Sequence, residues 1–157
     1  MQSFSGHSAA VTSVAFSPNG HFIASGSWDT TAKLWSVDGQ ELQTFKGHND
    51  GVWSIAFSPD SRTIATASED HTLRLWSIDG QQLRILVGHI DSVSSVVFSP
   101  DGKTIATGSR DQTVKLWNLD LDDLTAKGCE WVRDYLTNNP NASDSDRAMC
   151  GIPPRKP

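Results

Sequence analysis

Apolar residues alternate with small or polar ones in runs of five or six, which is the period of a half-buried strand and not of a helix face. In the stretch from residue 52, Trp53, Ile55 and Phe57 share one side of an extended strand, and Val52, Ser54 and Ala56 share the other. Ser58-Pro59-Asp60-Ser61 then reads as a turn, because proline presets one turn dihedral and Asp or Ser tolerates the rest. The pattern predicts a second strand over 63–67, a polar turn at Glu69-Asp70-His71-Thr72 and a third strand over 73–78. Asp79-Gly80 is a hairpin signal, and a fourth strand follows over 82–86.

The same unit occurs three times. Gly6-His7, Gly47-His48 and Gly88-His89 open the copies; Asp29, Asp70 and Asp111 and then Trp35, Trp76 and Trp117 follow, each set at an interval of 41 residues. Fifteen of the first 33 aligned positions are identical in all three copies, with no insertion or deletion between them. Turns recur at Ser17-Pro18-Asn19-Gly20 and Ser99-Pro100-Asp101-Gly102. A period of this length marks a repeat architecture, in which one unit cannot bury its apolar surface alone.

Four short strands joined by tight turns, with Gly-His, Ser-Pro-Asp-Gly, a turn Asp and a strand-end Trp in register three times, resemble the WD40-repeat β-propeller family. The resemblance spans Gln2 to Leu119. Two features depart from the family pattern. The usual Trp-Asp ending is replaced by Trp followed by Ser36, Ser77 or Asn118, and three copies fall short of the four to eight blades of a propeller. The expected fold is all-β, with three four-stranded propeller blades over 1–119, the last incomplete, a short helical C-terminal extension over 120–150 and a disordered end over 151–157. The extension carries Trp131, Val132, Tyr135 and Leu136 at helical spacing after the acidic start Asp122-Asp123, and a second short helix is expected from Ser143. The tail resembles the carboxyl end of large bacterial, especially cyanobacterial, WD-repeat proteins.

The third copy lacks a fourth-strand sequence, reading Asp120-Leu121-Asp122-Asp123-Leu124, while Gln2-Ser3-Phe4 lies where a preceding fourth strand would end, with Phe4 in phase with Phe45. An open array of this kind exposes apolar faces at both ends and an unpaired strand edge. A homodimer completing a six-blade ring is the expected remedy. Its rival is a monomer capped by Trp131, Val132, Tyr135 and Leu136.

Each copy also holds a His, a hydroxyl residue and an Asp, the ingredients of a nucleophilic triad. The sets are His7, Ser25, Asp29 and Trp35; His48, Thr66, Asp70 and Trp76; and His89, Thr107, Asp111 and Trp117. The resemblance implies a structural tetrad in which the four groups satisfy one another. Three copies with Ser and Thr interchanging fit scaffold better than catalysis. The positions where the copies differ are the candidate partner-binding rim: Thr12, Trp53 and Ser94 near the start of the first strands, with Trp28, Glu69 and Arg110 before the turn Asp. The resemblance places these positions at the mouth of one propeller face, and Trp and Arg are favoured interface anchors.

Charge and composition narrow the function classes. The formal net charge is −5 and no basic run occurs, so nucleic acid is not an expected partner. No apolar stretch has the length of a membrane span, the N-terminus does not read as a leader, and a cytoplasmic location is expected. Cys129 and Cys150 could pair, though two cysteines without a secretion signal more often stay as thiols, and the sequence leaves their redox state open. No phosphate-binding glycine loop and no metal-ligand spacing occurs, so no metal, no cofactor and no enzyme activity are expected. The reading is a non-catalytic protein–protein interaction scaffold or sensor module. The alternative is a truncated C-terminal fragment of a larger WD-repeat signalling protein without binding activity of its own.

Overall fold

Alternating apolar residues and Ser-Pro and Asp-Gly turns give eleven strands in three antiparallel sheets among the described residues. The computed structural model describes residues 2–120, 129, 133, 135–138 and 143–153. The first blade is β1 (Val11–Phe16), β2 (Phe22–Ser27), β3 (Ala32–Ser36) and β4 (Glu41–Phe45), paired in chain order. The second is β5 (Val52–Phe57), β6 (Thr63–Ser68), β7 (Thr72–Ser77) and β8 (Gln82–Val87). Among the described residues the third holds β9 (Val93–Phe98), β10 (Thr104–Ser109) and β11 (Val114–Asn118). The three described blades do not close into a ring, and the chain divides into two compact units, Met1–Trp117 and Asn118–Pro157.

Each blade buries its strands against the next. Ala24, Ala32, Leu34 and Phe45 from the first blade form one cluster with Ile55, Phe57, Ile64 and Trp76 from the second. Backbone bonds reinforce the seam at the repeat interval: Ile55 N donates to Ser13 Oγ at 3.2 Å, and Val96 N to Ser54 Oγ at 3.3 Å.

The faces of β5 differ from the simple alternation. Val52 pairs with Ser68 and Ser54 with Ala67, so Trp53 is an extra residue, a β-bulge. The bulge shifts the alternation, and Val52 is buried along with Ile55 and Phe57, while Trp53 leaves that set. The same slip sits at Thr12 between Val11 and Ser13, and at Ser94 opposite the Gly108–Ser109 step.

The turn after each tetrad Asp forces a left-handed residue: Thr30 (φ 68°), His71 (φ 67°) and Gln112 (φ 67°). A β-branched residue is the least suited of these to that region, where an L-residue costs about 1–2 kcal/mol. Thr30→Gly is therefore expected to raise stability by about 1 kcal/mol, read as a higher urea midpoint, with no gain from glycine at Thr31 next to it.

In the second unit, residues 129, 133 and 135–138 are helical, and α1 (Asp144–Met149) follows Ser143. Gly151 takes a left-handed φ of 65° and Ile152 N returns to Arg147 O at 2.9 Å, which closes the helix end. Leu136 is buried and Tyr135 exposed; Trp131, Val132, Asp122 and Asp123 lie outside the described residues, and with them the expected first helix start. Cys129 and Cys150 form a disulfide with Cα atoms 5.2 Å apart, so of the two states the sequence leaves open it is the bridge, and not the more frequent pair of thiols, that this structure holds. Compartment reasoning cannot see that the fold of this unit brings the two within bridging distance.

Candidate functional site

Strand β2 and the turn after it place the hydroxyl and the Asp of the first tetrad, β3 places the Trp, and the Gly-His segment ahead of β1 brings the His down on them. Indole Nε1 of Trp35 donates to Ser25 Oγ at 2.8 Å, Ser25 Oγ lies 2.8 Å from His7 Nε2, and His7 Nδ1 lies 2.8 Å from Asp29 Oδ2. In the second blade the matching distances are 2.8 Å for Trp76 to Thr66, 2.7 Å for Thr66 to His48 and 2.9 Å for His48 to Asp70. In the third they are 2.8 Å for Trp117 to Thr107, 2.8 Å for Thr107 to His89 and 2.6 Å for His89 to Asp111. One direction of donation satisfies every group: indole to hydroxyl, hydroxyl to Nε2, and Nδ1–H to carboxylate.

A fifth member belongs to each set. The hydroxyls of Thr31, Thr72 and Thr113 donate to the second carboxylate oxygen of Asp29, Asp70 and Asp111 at 2.6 Å each. Its signal was present in the sequence, since this Thr is identical in all three copies. Backbone N–H groups of Ser8, Asn49 and Ile90 also reach the carboxylates. Burial pushes these carboxyl pKa values up, but the donors outweigh it and hold all three well below the usual carboxylate range. At Asp29 the Thr31 hydroxyl is the largest of those donors, at Asp70 the His48 imidazole, and at Asp111 the Thr113 hydroxyl.

Chemically, this arrangement is closed. The hydroxyl that would serve as nucleophile accepts an indole N–H on its own oxygen, and Ser25, Thr66 and Thr107 are all buried. Among the described residues no group of three His, Cys, Asp or Glu is arranged to hold a metal ion, and no helix is long and apolar enough to cross a membrane.

The rim residues converge on a different surface. Trp28 of the first blade meets Trp53 of the second edge-to-face, with ring centroids 4.7 Å apart. Trp53 Nε1 donates to Glu69 Oε2. Arg110 of the third blade lies over the Trp53 ring at 5.0 Å and bonds Glu69 Oε1 through Nη1 at 3.3 Å. Four residues from three blades thus form one ladder, with Trp28 and Arg110 exposed at its ends. Gly51 makes room for the ladder: a Cβ there would come within 2.7 Å of the Trp28 ring, so Trp28 lies on bare backbone. Thr12 and Ser94 do not join the ladder. Thr12 Oγ1 donates to the carbonyls of Gly26 and Val52, and Ser94 Oγ to that of Gly108.

The family model for the WD domain, G-beta repeat, matches residues 1–36, 39–77 and 80–118. Among curated proteins, the chain is 58% identical over 33 residues to a Periodic tryptophan protein 2 homolog from Neurospora crassa, covering 21% of this chain and 4% of that one. It is 56% identical over 36 residues to a Ribosome biogenesis protein WDR12 homolog from Oryza sativa subsp. japonica, and 58% identical over 36 residues to a POC1 centriolar protein homolog B from Mus musculus. Each of those stretches covers 23% of this chain and 8% of the relative, so the similarity spans about one repeat of much longer proteins.

Proposed function

Because the chain belongs to the WD40 family of WD domain, G-beta repeats, whose repeats imply a protein-interaction scaffold, we propose that it docks a protein or peptide partner on the ladder of Trp28, Trp53, Glu69 and Arg110. One observation carries this reading. Residues that differ among the copies, and that the blade does not need, meet on one surface as paired indoles beside an Arg–Glu pair. Such a surface offers an apolar anchor site along Trp28 and donors of Arg110 that reach outward. The buried tetrads serve the scaffold, and the chain performs no chemistry.

Two relatives carry names that refer to ribosome biogenesis and to the centriole. One repeat of similarity transfers neither setting, and the proposal stops at a protein partner. A bacterial origin is a proposal on the tail resemblance alone, and a sensor role is a proposal on the repeat array. A cytoplasmic location is a proposal that requires the Cys129–Cys150 bridge to be reduced there, since disulfides persist in oxidising compartments.

A peptide library selected on the intact chain tests the rim. Trp28→Ala and Trp53→Ala are each expected to weaken a selected peptide about tenfold or more while the far-UV spectrum is preserved. Unchanged affinity in both variants would place the site elsewhere.

A further inference from the structure

The two end faces of the blade array are the two halves of the seam that the chain already makes twice. Ile55 and Phe57, which the first blade covers, are 5% and 8% exposed; their counterparts one repeat earlier, Val14 and Phe16, are 68% and 71% exposed. Leu73 and Leu75 are buried, whereas Val114 and Leu116 one repeat later are 74% and 72% exposed. The first blade therefore shows the face that receives a preceding blade, and the third shows a face of the kind that packs on a following one. The receiving face is an apolar groove of about 310 Å³ lined by Phe4, Val11, Val14, Phe16, Ile23 and Trp35, together with His7 and Ser25.

We propose that a second copy of this chain fills both ends, its third blade seating on the first blade of the other and the reverse, to close a ring of six blades. The contact is head-to-tail, so it ends in a ring or a filament. Propellers hold four to eight blades, and the three described blades of two copies make six, which falls in that range. This association uses surfaces apart from the rim, so it stands or falls independently of the partner reading.

The repeat also dictates the details. Phe45 ends β4 and packs on Trp76 of the next blade at 5.6 Å; Phe4, one repeat earlier, packs on Trp35 at 5.8 Å. The segment Gln2–Phe4 thus sits as the end of a fourth strand, and β11 is a sheet edge without one among the described residues. In the two complete blades Ala32 pairs with Phe45 and Lys33 with Thr44, as Leu73 does with Leu86 and Arg74 with Ile85. By the same register Val114 pairs with Phe4 of the other copy, and Lys115 with its Ser3. Exposed Ser95, the counterpart of Ser13 and Ser54, accepts from Val14 N across the new seam.

Light scattering on the intact chain is expected to give twice its 17.1 kDa mass. Phe16→Asp and Leu116→Asp each change a solvent-facing residue, and each alone is expected to run as a folded 17.1 kDa monomer by mass and far-UV spectrum. An equimolar mixture of the two regains the dimer, because one of its two seams then carries neither change. Trp28→Ala leaves the mass of the dimer unchanged. On unaltered protein mixed with isotope-labelled chains, an amine cross-linker joins Lys115 to the amino terminus of the other copy. A monomeric wild-type chain at high concentration, a mixture that stays monomeric, or a dimer without the Lys115 cross-link overturns the proposal.

Discussion

Replacing Asp70 by Ala lowers the unfolding free energy by about 3 kcal/mol, several times the loss from Glu69→Ala beside it, when both are read as urea midpoints with unchanged slope. The difference follows from what each carboxylate holds. Asp70 accepts from His48 Nδ1, from the backbone of Asn49 and from both the backbone and hydroxyl of Thr72, and its side chain is almost fully covered. Without it four donors lose one acceptor at once, and Arg74, whose Nη2 lies 4.0 Å away, loses a counter-charge. Glu69 holds one indole N–H and an exposed ion pair, and exposed pairs contribute about 0–1 kcal/mol. Equal midpoints for the two variants would remove the tetrad from the list of stabilising features.

The same site sets the response to acid. Asp70 is held below its unfolded value, so between the two the unfolded chain binds more protons and stability rises with pH. Its contribution is complete at neutral pH, begins to fade as the pH falls through about 4, where the unfolded carboxyl titrates, and is gone below the depressed folded value. Asp29 and Asp111 act in the same direction. Asp70→Ala is thus expected to flatten the loss of stability between about pH 5 and pH 2 as well as to lower the whole curve. A variant that keeps the full acid slope would assign that slope to other groups.

How far the sequence reveals this molecule depends on whether a feature repeats. The blade strands and turns and the four tetrad positions are identical, or nearly so, in three copies, so one alignment within the chain isolates them. Trp28, Trp53, Glu69 and Arg110 were visible one by one as positions that differ. Their meeting was not, because they come from three blades and touch through the stacking that Gly51 permits. The bulge was hidden for another reason. Thr12, Trp53 and Ser94 share no residue type, and strict alternation sets Trp53 on the side of Ile55 and Phe57 until the register shows it is the extra residue. Cys129 and Cys150 belong to the segment that does not repeat, where composition speaks to compartment and not to distance.

The largest single effect is expected at the seam, and it separates two residues that the repeat makes equivalent. Leu75→Ala should cost about 2–5 kcal/mol, the usual range for a buried Leu cut to Ala, since the transfer term is joined by a cavity that the neighbouring strands cannot fully close. Leu116 occupies the same place one repeat later but faces solvent within one chain. Its truncation in the monomeric Phe16→Asp background should cost less than about 0.5 kcal/mol, as a surface change does. If two copies close the ring as proposed, the same Leu116→Ala substitution in the otherwise unaltered chain should instead lower the midpoint in a manner that depends on protein concentration, because the other copy would then cover the side chain. Urea titrations of the variants at two protein concentrations check all three expectations. A large cost for Leu116→Ala in the monomer would mean that its own chain buries this side chain in solution, and a negligible cost for Leu75→Ala would mean that the blades do not stack as described.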